Sequence, residues 1–379
     1  MTSPNYRIPQ LQPLPLSTVF SKRLDMAAIY PFADNNYQYY YLARNAIWHG
    51  VDALGLKPGD VVLMPAYHHG IEVETLLRKG LQLVYYRIDE NMHIDFEHLE
   101  SLVTPETSAL YIIHYIGFPQ AVKRLSAFAA SHNLKFIEDC ALSLFSSAYD
   151  VPLGASGDIS IFCLYKTLPV PHGGMLVVNK AEITLPFAPQ KPNWASTTAI
   201  LANRILDGLD TKWGGVGYQL NNALKSVARK FKRTMPVEHI PIDTEELVVK
   251  HLDLGVSSIT RYLIRRLGRD FIVMRRRRNY SYLAKLLKDT VDIPFEELPE
   301  GVCPLFLPVL VEHKKATHDA LIKKGVEAVN FWSRNHHDVP VGMFPEVTYL
   351  REHILELPIH QGLEEVHMEY VASKVKQVL

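Results

Sequence analysis

Short apolar strands alternating with helices of about ten residues predict an α/β chain. The expected architecture is a large three-layer domain around a mostly parallel sheet, followed by a smaller C-terminal α+β domain. Three observations carry this. The strands (VVLM at 61–64, ALYII at 109–113) are apolar on both faces, as parallel strands covered by crossover helices are. Helical spacing fills the intervals between them. Glycines (Gly55, Gly80) stand where those helices should stop.

Taken in order, the proline-rich residues 1–20 read as an extended arm lying on the body or as a mobile end. Ile47, Val51 and Leu54 define a helix that starts near Tyr41. Lys57–Asp60 is a turn and Val61–Met64 a strand. Glu72–Lys79 is a helix, Leu81–Tyr86 a strand, Asp95–Val103 a helix with Asp95 as N-cap, and Ala109–His114 a strand. Gln120–His132 is a helix, and Leu134–Ile137, Ile159–Leu164 and Met175–Val178 are strands. The rhythm breaks at 181–250, where Pro186, Pro189 and Pro192 suggest a loop. Ile200–Leu209 and Asn221–Phe231 suggest amphipathic helices. A long arginine-dense helical pattern runs from Ser257 to about Leu287. It is followed by a strand at Leu305–Val311, with Pro308 marking an edge, and helices at His313–Gly325 and Val366–Val378. The expected divisions are an arm (1–30), a large domain (31–256) with a helical insertion at about 181–250, and a linking helix with the small domain (257–379).

Composition narrows the function. Lys plus Arg and Asp plus Glu number 40 each, which gives no overall electrostatic case for nucleic acid or membrane. No apolar run approaches the ~20 residues of a membrane span. Three cysteines, two of them in apolar surroundings, suit a reduced, cytoplasmic setting, and the N-terminus lacks a signal-peptide pattern.

The informative stretch is Leu134–Val178. Asp139 follows one strand, Lys166 follows the next, and Gly173-Gly174 opens a third. Neighbouring strand ends of an open α/β sheet face a common crevice. An acid beside a pyridine nitrogen keeps it protonated, and a lysine supplies an imine and a general base. Together they suit pyridoxal phosphate. By spacing alone the pair reads equally as a capping or surface acid and a solvated lysine.

The surrounding motifs are IEDCA (137–141), GDISIF (157–162), GGMLVV (173–178), GDVVLMPAY (59–67), YYRIDENMHID (85–95), HYIGFPQ (114–120) and LELPIHQGL (355–363). With Lys166, they resemble in order the fold-type-I pyridoxal-phosphate aminotransferases, and within them the DegT/StrS sugar aminotransferase family. The resemblance spans roughly 40–180 and 255–379. It implies that Asp139 pairs with the pyridine nitrogen and that Lys166 forms the internal aldimine. His69 takes the place of the aromatic residue stacked on the ring. Ala43-Arg44 stands at the helix N-terminus that holds the phosphate. Cys163 occupies the place of a phosphate-binding serine and is a weaker donor. Leu142 stands where Gln or His is common. The partner-subunit Asn-x-Arg region is not recognisable, and Ser257-Ser258 with Arg261 lies near its expected place.

The resemblance further implies a homodimer and transfer of an amino group from an amino acid, by family resemblance glutamate. The acceptor it implies is a keto group, most plausibly on a nucleotide-linked sugar. Two alternatives stand beside this. One is a lyase or dehydratase on the same scaffold, whose family members replace the lysine with histidine. The other is a degenerate, non-catalytic scaffold protein.

Further residues invite comment. Arg275–Arg278, with Arg261, Arg265 and Arg269, reads as a solvated or interface helix face, or as a patch attracting an anionic substrate. His336-His337-Asp338 reads as a loop rather than a metal set. His114 is either a site-lining group or a satisfied buried histidine. Trp332 and His360 are candidates for the small-domain wall of the site by position.

Overall fold

The computed structural model describes residues 6–24, 26–33, 36–185, 189–213, 247–340 and 342–379. Its main feature is a seven-stranded sheet, built from β1 (Tyr37–Tyr40), β2 (Val61–Pro65), β3 (Gln82–Tyr86), β4 (Thr107–Ile113), β5 (Lys135–Asp139), β8 (Ile159–Cys163) and β9 (Gly174–Val178). A two-residue hairpin, β6 (Ser147–Ala148) and β7 (Val151–Pro152), separates β5 from β8. The strand order is β1-β9-β8-β5-β4-β2-β3. The β3, β2, β4, β5 and β8 neighbours pair in parallel, and β8–β9 and β9–β1 are antiparallel.

The alternation expected from the sequence is present. Helices Ala43–Ala53, Ile71–Arg78, Phe96–Ser101 and Val122–Ser131 each fall within a few residues of their expected spans. Asp95 caps its helix by accepting a hydrogen bond from the His98 amide at 3.0 Å. Gly55 and Gly80 hold φ of 71° and 81°, the left-handed turn that ends the helices before them.

Three features differ from expectation. β1 was not anticipated: YQYY lacks the apolar run of its neighbours, because it lies at the sheet edge against β9 alone. The long pattern from Ser257 is two helices, Ser258–Ile264 and Arg269–Leu287, parted before Gly268, the N-cap of the second. The stretch ILELP folds as β11 (Ile354–Pro358), antiparallel to β10 (Phe306–Leu310), in a separate two-stranded sheet. Ile200–Leu209 lies in the helix Trp194–Trp213. Asn221–Phe231 lies outside the described residues.

The arm lies on the body. The Ile8 amide donates to Gly325 O at 2.7 Å, the Glu327 amide donates to Ile8 O at 2.9 Å, and Arg7 pairs with Glu327. The three cysteines are buried and form no disulfide. Among the described residues no helix is long and apolar enough to cross a membrane.

The arginine run is a solvated face only in part: Arg261, Arg265 and Arg278 are exposed, whereas Arg276 is buried. Arg276 is 1% exposed and donates to Gln361 Oε1 (2.7 Å), Leu305 O (2.8 Å), Pro304 O (3.3 Å) and Thr167 O (3.5 Å). Arg277 donates to Pro299 O and Val302 O, Arg275 to Leu363 O, and Arg278 pairs with Glu365. Guanidinium groups here satisfy loop carbonyls that have no ladder partner.

Candidate active site

The carboxyl ends of β4, β5 and β8 open into one cavity of about 310 Å³. The register explains why: Ile113 pairs with Asp139, so β4 and β5 end level, and Asp139 pairs with Ile161, shortly before β8 ends at Cys163. Asp139, Lys166, His69, Ala43, Arg44, Cys163 and Leu142 all line this cavity. The structure thus brings together every residue singled out from the sequence for the cofactor.

Asp139 is the last residue of β5 and is 5% exposed. Tyr111 Oη donates to its Oδ2 at 2.6 Å, and the Ala141 amide donates to Oδ1 at 2.8 Å. Burial raises its pKa, and these two donors and Lys166 oppose the rise. A carboxylate has about four lone-pair positions, so each oxygen keeps acceptor capacity after these bonds. Lys166 sits in the single helical turn Leu164–Thr167 that follows β8, and is half-buried.

The helix Ala43–Ala53 begins at the cavity with Leu42 as its N-cap, so no side chain caps it. An uncapped N-terminus offers amide donors and a positive dipole end to an anion. Gly174 makes room for it. A Cβ there would sit 2.1 Å from Leu42 O and 2.5 Å from the Ala43 nitrogen, so only glycine lets β9 pass this close. Arg44 adds a guanidinium on the first turn.

His69 is half-buried, and its Nδ1 is buried without a partner. Burial, then Lys166, Arg44 and Arg351, push its pKa down to about 3, so the ring is neutral near pH 7. Its amide donates to Glu72 Oε1 at 2.8 Å. Glu72 is 4% exposed; burial and the nearby Asp139 carboxylate push it up to about 7.

The opposite wall comes from the two-stranded sheet and the segment 329–334. Here lie Trp332, Asn330 and Glu356. Sequence reasoning pointed to Trp332 by position and missed Glu72, Asn330 and Glu356. A signal existed for Glu356: it is the one acid in the apolar run ILELP. His360 is 1% exposed and is not among the lining residues. His114 proves to be a satisfied buried histidine. Its Nε2 lies 3.0 Å from Glu138 Oε2, and its Nδ1 accepts from the Gln120 amide at 3.1 Å. With Cys140 these two form a compact buried group, but Glu138 is already filled by amides of the 154–157 loop. His336-His337-Asp338 is a loop: His336 faces Glu74, and Asp338 accepts from Tyr85 Oη at 2.7 Å. Near the expected partner-subunit region, Ser257 caps its helix and Arg261 lies 4.9 Å from the Tyr39 ring centre.

Comparison with known proteins agrees with this geometry. Residues 43–185 match the DegT/DnrJ/EryC1/StrS aminotransferase family. A UDP-N-acetyl-3-dehydro-alpha-D-glucosamine 3-aminotransferase of Acidithiobacillus ferrooxidans is 30% identical over 143 residues, 37% of this chain and 39% of that protein. A GDP-perosamine synthase of Escherichia coli O157:H7 is 31% identical over 155 residues, 39% of this chain and 43% of that protein. In such alignments the chain spans about two fifths of the relative's length. The backbone likeness reaches further. The structure of Helicobacter pylori PseC, an aminotransferase involved in the biosynthesis of pseudoaminic acid, superposes with a TM-score of 0.69 at 15% identity. It covers 98% of this chain and 99% of that one. The chain therefore shares its overall fold with that aminotransferase structure, and residues 43–185 resemble the DegT/DnrJ/EryC1/StrS aminotransferase family.

Proposed function

We propose that the chain is a pyridoxal-phosphate-dependent aminotransferase acting on a keto group of a nucleotide-linked sugar, with an amino acid, glutamate by family resemblance, as donor. The observation that carries this is the convergence of Asp139, Lys166 and the uncapped helix start Leu42–Arg44 on one cavity. These residues suit the cofactor in charge as well as in position. Asp139 would meet the ring nitrogen with an oxygen that still accepts. The Ala43 and Arg44 end of the helix would take the phosphate, with Cys163 beside it. His69, held neutral by burial, would lie against the ring as a stacking and hydrogen-bonding group.

When bound, pyridoxal phosphate supplies an electron sink for the carbon–hydrogen bond that breaks in transamination. The chain's part is proton traffic and positioning. Lys166 would hold the cofactor carbonyl, and its Nζ would carry the proton as general base and acid. Tyr111 and the Ala141 amide orient Asp139 and oppose the burial that raises its pKa.

Sugar aminotransferase relatives support the substrate class. The homodimer, the cytoplasmic setting and the division into arm, large domain (31–256) and small domain (257–379) belong to the same proposal.

The test is a visible spectrum of the purified chain with added pyridoxal phosphate, before and after glutamate. The expected result is a coloured protein whose long-wavelength band gives way to a shorter one as the donor's nitrogen is taken up. A chain that stays colourless with excess cofactor would support the non-catalytic scaffold instead.

A further inference from the structure

Glu356 is 1% exposed, and neither of its side-chain oxygens has a hydrogen-bond partner. In β11 its neighbours Leu355 and Leu357 point to the opposite face, so Glu356 turns to the cavity it lines. Asn330 Oδ1, on the same wall, is also buried without a partner. Between them in the lining, Trp332 holds φ of 38°, a left-handed conformation that bulky residues avoid. Its ring stacks on Phe331 at 4.3 Å, and its carbonyl accepts from Arg351 Nη1 at 2.7 Å. One short wall therefore carries three orphan oxygens and a strained aromatic residue. Native interiors seldom leave such oxygens unpaired.

We propose that this wall is the hydroxyl-recognising part of the substrate site, in which Glu356 and Asn330 take the hydroxyls of the sugar ring and Trp332 packs against its carbon–hydrogen face. This rests on the aminotransferase reading above for the identity of the sugar. The charges nearby favour a neutral polyol over an ion. Lys166 and Lys314 both act on Glu356, and a cationic ligand group would meet them as well. A second carboxylate would meet the acid itself. A hydroxyl both donates and accepts, so it pairs with Glu356 whether or not the carboxyl is protonated. Burial holds that carboxyl well above the usual range, with the two lysines opposing. Lys314 is itself engaged, donating to Phe331 O (2.6 Å) and Arg351 O (2.8 Å).

The test uses the full chain as wild type, E356A, E356Q and N330A. Calorimetric titration compares UDP-N-acetylglucosamine and GDP-mannose with UDP and GDP alone. The expected result is at least a tenfold loss of affinity for the sugar nucleotides in E356A, less in N330A, with the bare nucleotides unchanged. Melting of the ligand-free proteins supplies a second readout. E356A and E356Q should melt above wild type, because an unpaired buried acid destabilises the fold. Equal affinity of E356A and wild type for the sugar nucleotides, no binding of either by wild type, or a lower melting temperature in both Glu356 variants would overturn the assignment. Cofactor uptake, read by colour in the same samples, stands apart. A chain that binds sugar nucleotides through Glu356 yet stays colourless keeps this inference and loses the aminotransferase reading.

Discussion

The two walls of the cavity bury acids in opposite ways. On the large-sheet wall Asp139 and Glu72 each accept hydrogen bonds from fixed donors. On the small-sheet wall Glu356 and Asn330 Oδ1 accept none. Electrostatic preorganisation works by having donors in place before the ligand arrives. The first wall has that character, suited to a resident group that stays through every turnover. The second leaves its polar atoms for something that comes and goes.

The comparison can be broken at three points. The largest effect should come from Lys166. K166A should lower turnover on the order of 10⁴-fold, the upper range for removing a proton-transferring group. It should also abolish the colour of covalently attached cofactor, and near-wild-type turnover would move the chemistry away from the large-sheet wall.

Next is Arg276, which joins the walls. R276M leaves the carbonyls of Pro304 and Leu305 and the Gln361 amide oxygen without their buried donor. A loss of about 3 kcal/mol in urea unfolding is expected, since each orphaned group costs roughly 1–3 kcal/mol. A change under about 1 kcal/mol would mean that water replaces the guanidinium.

The smallest effect concerns Glu72. Its folded pKa of about 7 lies above the unfolded value of 4.5, so between those values the folded state holds the proton more tightly. Stability from this group is present at low pH and is lost as pH rises from about 4.5 through about 7, to a total of about 3 kcal/mol at most. E72Q should flatten that part of the stability profile in denaturant titrations across pH. An unchanged slope would show that the hydrogen bond from His69 already keeps Glu72 ionised.

How far the molecule could be read from its sequence follows the same division. Apolar strands, glycine stops and the Asp95 cap are local signals, and they gave the large sheet. Asp139 and Lys166 were legible through the motifs around them (IEDCA, GDISIF, GGMLVV), because their strand-end spacing alone left the pair open. β1 was not, since its pairing comes from β9, more than a hundred residues away. The inward-facing part of the arginine run was not legible, because its partners are loop carbonyls at 298–305 and 363, which no pattern in the helix itself announces. Glu356 was visible as an oddity in ILELP. Its meaning depends on which face of β11 meets the cavity, and only the two-stranded sheet decides that.

Arg276 also affects how the site can move. Its guanidinium and the Gln361 amide (2.8 Å) both reach Thr167 O, the carbonyl of the residue after Lys166. The same guanidinium grips Pro304 and Leu305, at the entry to β10. A tilt of the two-stranded sheet therefore pulls on the turn that carries the lysine. If the small-sheet wall shifts when a sugar seats against it, the displacement reaches the reactive amine along a path only a few bonds long.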